Sequence, residues 1–297
     1  MKLKNKKIKF RKLRISDYDE FSSLFYSCYR KKISFDFYKW RYFSNNFSFC
    51  YGAFESSNLI ANVGMVSMKL NTKIKSRVYS RHSSMVLKKY RGQGIFSELL
   101  KRVKNILRKV PLIVMWPNKK NFSNFGIKKE YVLIKKYYLC KLSSNNPSSK
   151  KNINHPIQKI TELETFFEQG NYFFFKDYSY FKKRYLLYKP NEYFINEYKL
   201  KNLRSFFILK KNIDKTGFSF VIIDHFGSTK VISSHFNSLS KNLKYDNLIY
   251  LSKNKQNNFD YITFKIGILR KDVLTKLKSN FLTKEIFLGD TDIFISI

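Results

Sequence analysis

Several familiar chemistries have no foothold in this chain. The phosphate-binding Gly-x-x-x-x-Gly-Lys-Ser/Thr loop, a His-Glu-x-x-His zinc pair and a Gly-x-Ser-x-Gly nucleophile elbow are all absent. Four histidines, His82, His155, His225 and His235, show no metal-ligand spacing with cysteine, so no metal is expected. Only three cysteines occur, Cys28, Cys50 and Cys140, far apart and without a Cys-x-x-Cys pair. That usage suits reduced, buried thiols in a cytoplasmic protein. No run approaches the ~18 apolar residues that a membrane-spanning helix needs, and the basic stretch Met1 to Lys7 is not followed by the apolar region of a secretory leader. Acidic residues are also scarce. The 21 Asp and Glu face 58 Lys and Arg, a formal net charge of +37. An excess of that size suits nucleic acid, an anionic membrane surface, or small anions such as CoA and nucleotide-sugars. Lys, Asn, Phe, Ile and Tyr are abundant together, as an AT-rich genome would produce, and most of the charge is read as solvated surface.

A length of 297 residues with 43% hydrophobic and 18% aromatic content allows one large or two ordinary domains, each with a core, and excludes wholesale disorder. The most organised stretch lies around residue 90. Val78 to Leu87 is extended in character. From Ile95, the residues Phe96, Leu99, Leu100, Val103, Ile106 and Leu107 recur at helical spacing, with Ser97, Glu98, Lys101, Arg102, Lys104, Asn105 and Arg108 opposite. Pro111 to Trp116 is a short apolar run of the kind a strand shows when both faces are covered. The unit is β-turn-α-β. Its turn holds Gly92 and Gly94, which permit unusual dihedrals and a close approach of backbone to ligand. Free N–H groups at the following helix N-terminus favour an anion, and Arg91 adds a charge beside them.

The segment Arg91-Gly92-Gln93-Gly94-Ile95-Phe96 resembles the acyl-CoA motif of the GNAT superfamily of N-acyltransferases, Gln/Arg-x-x-Gly-x-Gly/Ala, with Phe96 in place of the usual small residue. The resemblance implies that Arg91, Gly92, Gln93, Gly94, Ile95 and Phe96 bind the cofactor, the backbone N–H groups of Gln93 to Phe96 holding the pyrophosphate. It further implies that main-chain atoms of Met85, Val86 and Leu87 run beside the pantetheine arm, with acetyl-CoA or another acyl-CoA as co-substrate. An Arg-Gly-x-Gly-Ile-Phe variant is similar to GNAT proteins of surface-polysaccharide loci.

Strand Ile8 to Leu13, a helix capped by Ser16, a second helix begun at Ser34 and Asp36, and strands Phe49 to Glu55 and Leu59 to Leu70 precede this unit. Together they give the GNAT order β-α-α-β-β-β-α-β. A loop and short helix over Asn121 to Lys129 and a closing strand Tyr131 to Leu142 are expected to follow. In the family a Tyr near that point protonates the leaving thiolate. Here Gly126 occupies the Tyr position and Glu130 the Gly position, so the usual acid is missing. Tyr131 substitutes only if the geometry differs; otherwise another hydroxyl or solvent acts, or the protein is not catalytic.

Residues 143–154 are polar and aperiodic and read as a linker between domains 1–142 and 155–297. After a Thr161-x-x-Glu164 capping box, Tyr180-Phe181-Lys182-Lys183-Arg184-Tyr185 echoes Phe37-Tyr38-Lys39-Trp40-Arg41-Tyr42, and strand-like segments follow both. Either this is chance in an aromatic, Lys-rich chain, or the protein is a tandem of two GNAT-like units in which the second lacks the CoA motif and serves the acceptor. The expected fold is accordingly α/β, a mixed-sheet GNAT fold in two units. For the base that takes the amine proton, His82 on the strand before the motif is the candidate, with Glu55 and Asp290 behind it. The expected function is cytoplasmic acyl-CoA-dependent acetyl transfer to an amine, such as that of an amino-sugar or nucleotide-sugar. The alternatives are acylation of a protein or peptide, and a catalytically inactive module binding nucleic acid through its basic surface.

Overall fold

The computed structural model describes residues 7–71, 77–116, 131–143, 174–187, 193–214, 217–242, 246–252 and 258–268. Four expected features lie outside them: the helix near Asn121, residues 144–154 of the linker, the Thr161 capping box, and Asp290.

The first half runs β1 (Ile8–Lys12), α1 (Tyr18–Tyr29), α2 (Phe35–Phe43), β2 (Phe49–Glu55), β3 (Asn58–Lys69), β4 (Arg77–Val86), α3 (Ile95–Ile106), β5 (Leu112–Met115) and β6 (Tyr131–Ser143). The second half runs α4 (Tyr178–Phe181, continued by a wide turn Lys182–Leu186), β7 (Tyr193–Leu200), β8 (Leu203–Asp214), β9 (Gly217–Gly227), α5 (Ile232–Asn242), β10 (Asn247–Ser252) and β11 (Asn258–Ile268). Ser34 caps α2 by accepting from the N–H of Phe37 at 3.2 Å, as its position suggests. Ser16 does not cap α1. It falls in a short 3-10 turn, Ile15–Asp17, and α1 starts one residue after Asp17. Asp17 is fixed instead by a two-pronged pair with Arg11, 2.6 and 2.7 Å, and by the N–H of Arg14. That pairing, Arg11 above all, holds the carboxyl below its ordinary range.

All eleven strands join one sheet in the order β1-β2-β3-β4-β5-β11-β6-β10-β9-β8-β7. Leaving out the edge strand β1, the pattern of directions reads the same from either end. Antiparallel pairs β1–β2–β3–β4 lead to the parallel pair β4–β5, and antiparallel pairs β7–β8–β9 lead to the parallel pair β9–β10. Between them the closing strands trade places: β11 pairs with β5, and β6 pairs with β10. The architecture is a mixed α/β GNAT fold of two GNAT-like units in tandem, and the echo of Phe37–Tyr42 in Tyr180–Tyr185 is the repeat of the helix before each meander.

Both halves pack helices on both faces. On one face of the first half, Phe21, Leu24, Tyr38 and Tyr42 of α1 and α2 meet Cys50, Phe54 and Leu59. On the other, Leu99 and Val103 of α3 meet Ala53, Ala61, Val63 and Met65. Alternation along β2 and β3 sends successive side chains to opposite faces, which is why near-continuous apolar runs are buried here. The helical stripe predicted for α3 is buried at Ile95, Leu99, Val103 and Leu107, but Ile106 is 42% exposed. Its position is flanking rather than central, because a straight helix keeps only a narrow arc against a sheet. Removing Leu99 to Ala would cost ~2–5 kcal/mol. The second half repeats the scheme: Phe181 and Tyr185 lie on one face, and Leu239 of α5 packs with Phe207, Leu209 and Phe220 on the other.

Candidate functional site

Strands β4 and β5 pair only over Tyr79–Ile113, Ser80–Val114 and Arg81–Met115. β4 continues through His82 to Val86, paired over that stretch with β3. The described β4–β5 pairing thus ends at Arg81, while β4 runs on beside β3. A bulge sits just past that point. Between the His82–Gly64 and Met85–Asn62 pairs, β4 has two residues and β3 one. Ser83 takes φ 42, uncommon for a residue with a side chain. It is held by the Tyr42 hydroxyl, 2.6 Å from its Oγ, and by the Asn62 amide on its carbonyl at 3.0 Å. Gly64 is needed opposite, since a Cβ there would lie 2.6 Å from the Tyr42 ring.

From Val86 the chain makes a 3-10 turn, Lys88–Tyr90, that is tied down at its centre. The buried Tyr90 donates its hydroxyl to Glu55. Glu55, a sequence candidate for the base, thus anchors this turn to the β2–β3 hairpin. Gly92 and Gly94 then take φ 76 and 80, and Gly94 is the residue from which α3 starts. A Cβ on either would meet nothing within 4 Å, so backbone conformation, not crowding, demands glycine, and the space above the turn is open. The first N–H groups of α3 point into that space. Around it stand the exposed Lys88, Lys89 and Arg91, and Arg91 donates Nε to the Val86 carbonyl at 3.0 Å. Gln93 turns its amide back to the Lys89 carbonyl at 2.8 Å, leaving its own backbone at the rim. Open glycine space, oriented N–H groups and three cations fit the diphosphate of a nucleotide cofactor.

The sequence-derived site residues thus divide into two sets. Met85, Val86, Arg91, Gly92, Gln93, Gly94, Ile95 and Phe96, with Leu87 between, converge on the end of β4 and the start of α3. His82 sits at the bulge, just past the last described β4–β5 pair. Burial, and then the charges of Arg41, Arg184 and Arg81, hold its imidazole well below the ordinary range, so it is neutral throughout physiological pH. Tyr131 is not brought to this place. It opens β6 and is level with Gly267 of β11, which is level with Ile113 of β5 and, through it, with Tyr79 of β4. Three strand spacings separate its backbone from β4, about 14 Å at ~4.8 Å each. The exchange of closing strands, which no local pattern announces, creates that distance. Sequence reasoning in turn missed Tyr42, Ser83 and Arg41, although the repeated aromatic-basic hexapeptide carried two of them.

The cysteines are thiols, Cys28 half-buried and Cys50 and Cys140 buried, each pushed up by its surroundings. Among the described residues no group of three or more His, Cys, Asp or Glu is placed to hold a metal, and no helix is long and apolar enough to cross a membrane.

This arrangement of a mixed sheet, with a glycine turn opening the helix between β4 and β5, is of the GNAT type. Comparison with known proteins makes this specific: residues 9–127 match the family model described as acetyltransferase (GNAT) domain. No curated protein matches the sequence. Among solved structures, a GCN5-related N-acetyltransferase of Anabaena variabilis is similar with a TM-score of 0.66 and 11% identity, over 89% of this chain and 73% of its own. Eis1 of Mycobacterium abscessus is similar at TM-score 0.58 and 10% identity, over 90% and 74%. Saccharomyces cerevisiae N-myristoyltransferase, solved with bound myristoyl-CoA, is similar at TM-score 0.60 and 9% identity, over 88% and 82%. The family-model match thus covers residues 9–127, and these three structures share the fold over 88–90% of this chain.

Proposed function

We propose that the protein is an acyl-CoA-dependent N-acyltransferase that transfers an acetyl group to the amine of a small acceptor, such as an amino-sugar or nucleotide-sugar used in a surface polysaccharide. One observation carries the reading: the positive-φ pair Gly92 and Gly94 opens α3 into free space after β4. The N–H groups of Gln93 to Phe96 hold the diphosphate of CoA, with Arg91 alongside, and the backbone of Met85 to Leu87 guides the arm that carries the thioester. The acceptor amine attacks the thioester carbonyl, and N–H groups at the end of β4 stabilise the oxyanion. The C–S bond then breaks and CoA leaves as the thiolate.

His82 is the nearest titratable group on β4 and accepts the amine proton directly or through water. Its depressed pKa keeps it in the accepting form but gives it a weak driving force, so orientation of the amine matters more than basicity. Tyr131 does not serve as the acid in this reading, and solvent protonates the thiolate. The support for an amino-sugar acceptor is the resemblance of the Arg-Gly-x-Gly-Ile-Phe turn to polysaccharide-locus proteins.

The test is calorimetric titration with CoA and acetyl-CoA of the wild type and of Gly94→Arg, whose side chain fills the open space. Micromolar binding lost in the variant is expected. No binding by folded wild type overturns the reading and favours the nucleic-acid-binding alternative.

A further inference from the structure

The repeated hexapeptides place Arg41 and Arg184 at the same position of each half, and the fold brings the two together. Both are buried, 7% and 8% exposed. They line one cavity of about 110 Å³ where α2, β3 and the turn after α4 meet, and Trp40, Lys69 and Lys183 line it with them. The halves are pinned across this place. The Trp40 indole donates to the Lys183 carbonyl at 2.8 Å, and the Phe175 N–H donates to the Lys69 carbonyl at 2.9 Å.

We propose that this cavity is the acceptor's anion subsite, taking a phosphate or carboxylate group of the amine substrate while the amine reaches along β4 toward the glycine turn. The inference rests on the acyltransferase reading for its role, but the binding itself does not. Three observations support it. Two guanidinium groups buried in one cavity raise each other's electrostatic cost, and a bound anion offsets it. Arg41 is held below its ordinary range by burial and then, among other influences, by the charge of Arg184, and the Lys183 ammonium is lowered by burial. The planar guanidinium is the side chain best suited to a two-pronged grip on carboxylate or phosphate.

Size agrees. A water occupies about 30 Å³ in the liquid, so the cavity has room for roughly three, the scale of one such anionic group. Position agrees as well. The lining residues Val66 to Lys69 pair with Ser80 to Arg77, the stretch of β4 just before His82, so an acceptor anchored there would extend along β4 toward the glycine turn. The acceptor class is an amine that also carries a phosphate or carboxylate.

The probe is Trp40, one of two tryptophans in the chain. In a Trp116→Phe background, its fluorescence is titrated at constant ionic strength with inorganic phosphate, with uridine diphosphate and with succinate. A saturable change is expected with at least one of them. The phosphate and succinate arms separate a phosphorylated acceptor from a carboxylated one. Arg184→Gln weakens it at least ~10-fold, about 1.4 kcal/mol, and Arg184→Lys weakens it less. Gly94→Arg keeps this binding while losing CoA, and Arg184→Gln keeps CoA affinity by calorimetry. Absence of any saturable response in the wild type, or equal affinity in Arg184→Gln, overturns the proposal. Thermal melting of the wild type with the same anions checks it without a variant: stabilisation by the anion that binds is expected, and no shift with any of them overturns it. Loss of CoA binding alone would strike the acyltransferase reading and leave the subsite standing.

Discussion

Where β4 meets α3, Gly92 and Gly94 turn with positive φ into open space; where β9 meets α5, Gly227 turns with φ 85 against the Arg204 carbonyl, which also accepts the N–H of Ser228. The first junction leaves room for a guest, and the second is packed shut. A 3-10 turn follows the strand in both, Lys88–Tyr90 and Thr229–Val231. In the first half four residues, Arg91 to Gly94, then intervene before the helix, whereas in the second the helix follows at once. The loop that the second half lacks is the one proposed to hold CoA.

The same contrast holds at the strand bulges. Ser83 and Asp224 each stand five residues before the 3-10 turn, and each receives the Tyr that ends the repeated hexapeptide, Tyr42 or Tyr185. At Ser83 the contact with Tyr42 is one neutral hydrogen bond. At Asp224 a buried carboxylate is saturated by Lys176, Tyr185 at 2.6 Å, Tyr180 at 3.2 Å and the His225 N–H at 2.9 Å. Nearby, Asn196 presents its oxygen to His235 Nε2 at 2.8 Å. His235 Nδ1 therefore accepts from Ser205 at 2.7 Å, and Ser205 accepts from His225 Nε2 at 2.6 Å. With both imidazoles neutral, every proton in that chain has one place. The second half has turned its inherited polar positions into a closed core network, while the first keeps open space above its glycine turn.

The largest expected effect separates the two bulges. Asp224→Ala strands the Lys176 ammonium in the core and should cost ~3–5 kcal/mol in urea unfolding. Ser83→Ala loses one partly buried hydrogen bond, ~1 kcal/mol. A smaller loss for Asp224→Ala than for Ser83→Ala would break the comparison.

Next come the glycines. Gly227→Ala meets both a forbidden dihedral and the Arg204 carbonyl, and should lose more than ~2 kcal/mol by thermal or urea unfolding. Gly94→Ala meets only the dihedral, ~1–2 kcal/mol, yet should weaken CoA binding, since its methyl enters the open space. Equal destabilisation by the two changes would show that the first junction is also packed.

Acid then probes the histidines. Burial lowers His235 from 6.5 to about 3. The unfolded chain binds that proton first, so stability is full above pH 6.5 and is lost as pH falls toward 3. NMR should show the His235 ring neutral at pH 5, and His235→Gln should flatten the pH dependence of unfolding over that window. A His235 titrating near 6.5 in the folded protein would contradict the closed network.

The smallest effect is on the surface of α3. Arg102 pairs with Glu98 at 2.7 Å while both side chains are substantially exposed, and Arg102→Ala should change stability by less than ~0.5 kcal/mol in the same urea assay. A larger change would mean that the high positive charge contributes more to folding than to surface.

Much of this was legible locally. The β-turn-α-β unit, the cap at Ser34 and the glycine turn that opens α3 follow from spacings within about 30 residues, because a helix stripe and a turn are set by chain neighbours. The repeated hexapeptide also offered a second unit. Ser16 and Ile106 were misplaced because cap choice and helix rotation depend on what lies opposite: Arg11 in one case, the narrow arc of α3 that the sheet covers in the other.

The sequence by itself determined where the chain must turn and which turn carries the paired glycines beside a cation, and it offered a repeat of two units that the fold then bore out. Only the tertiary structure decided that β6 and β11 change places, that Tyr131 therefore stands three strands from β4, and that Arg41 and Arg184 share one cavity. Strand partners are chosen by which edges remain to be paired once distant segments meet, and that competition leaves no periodic mark on the residues that win it.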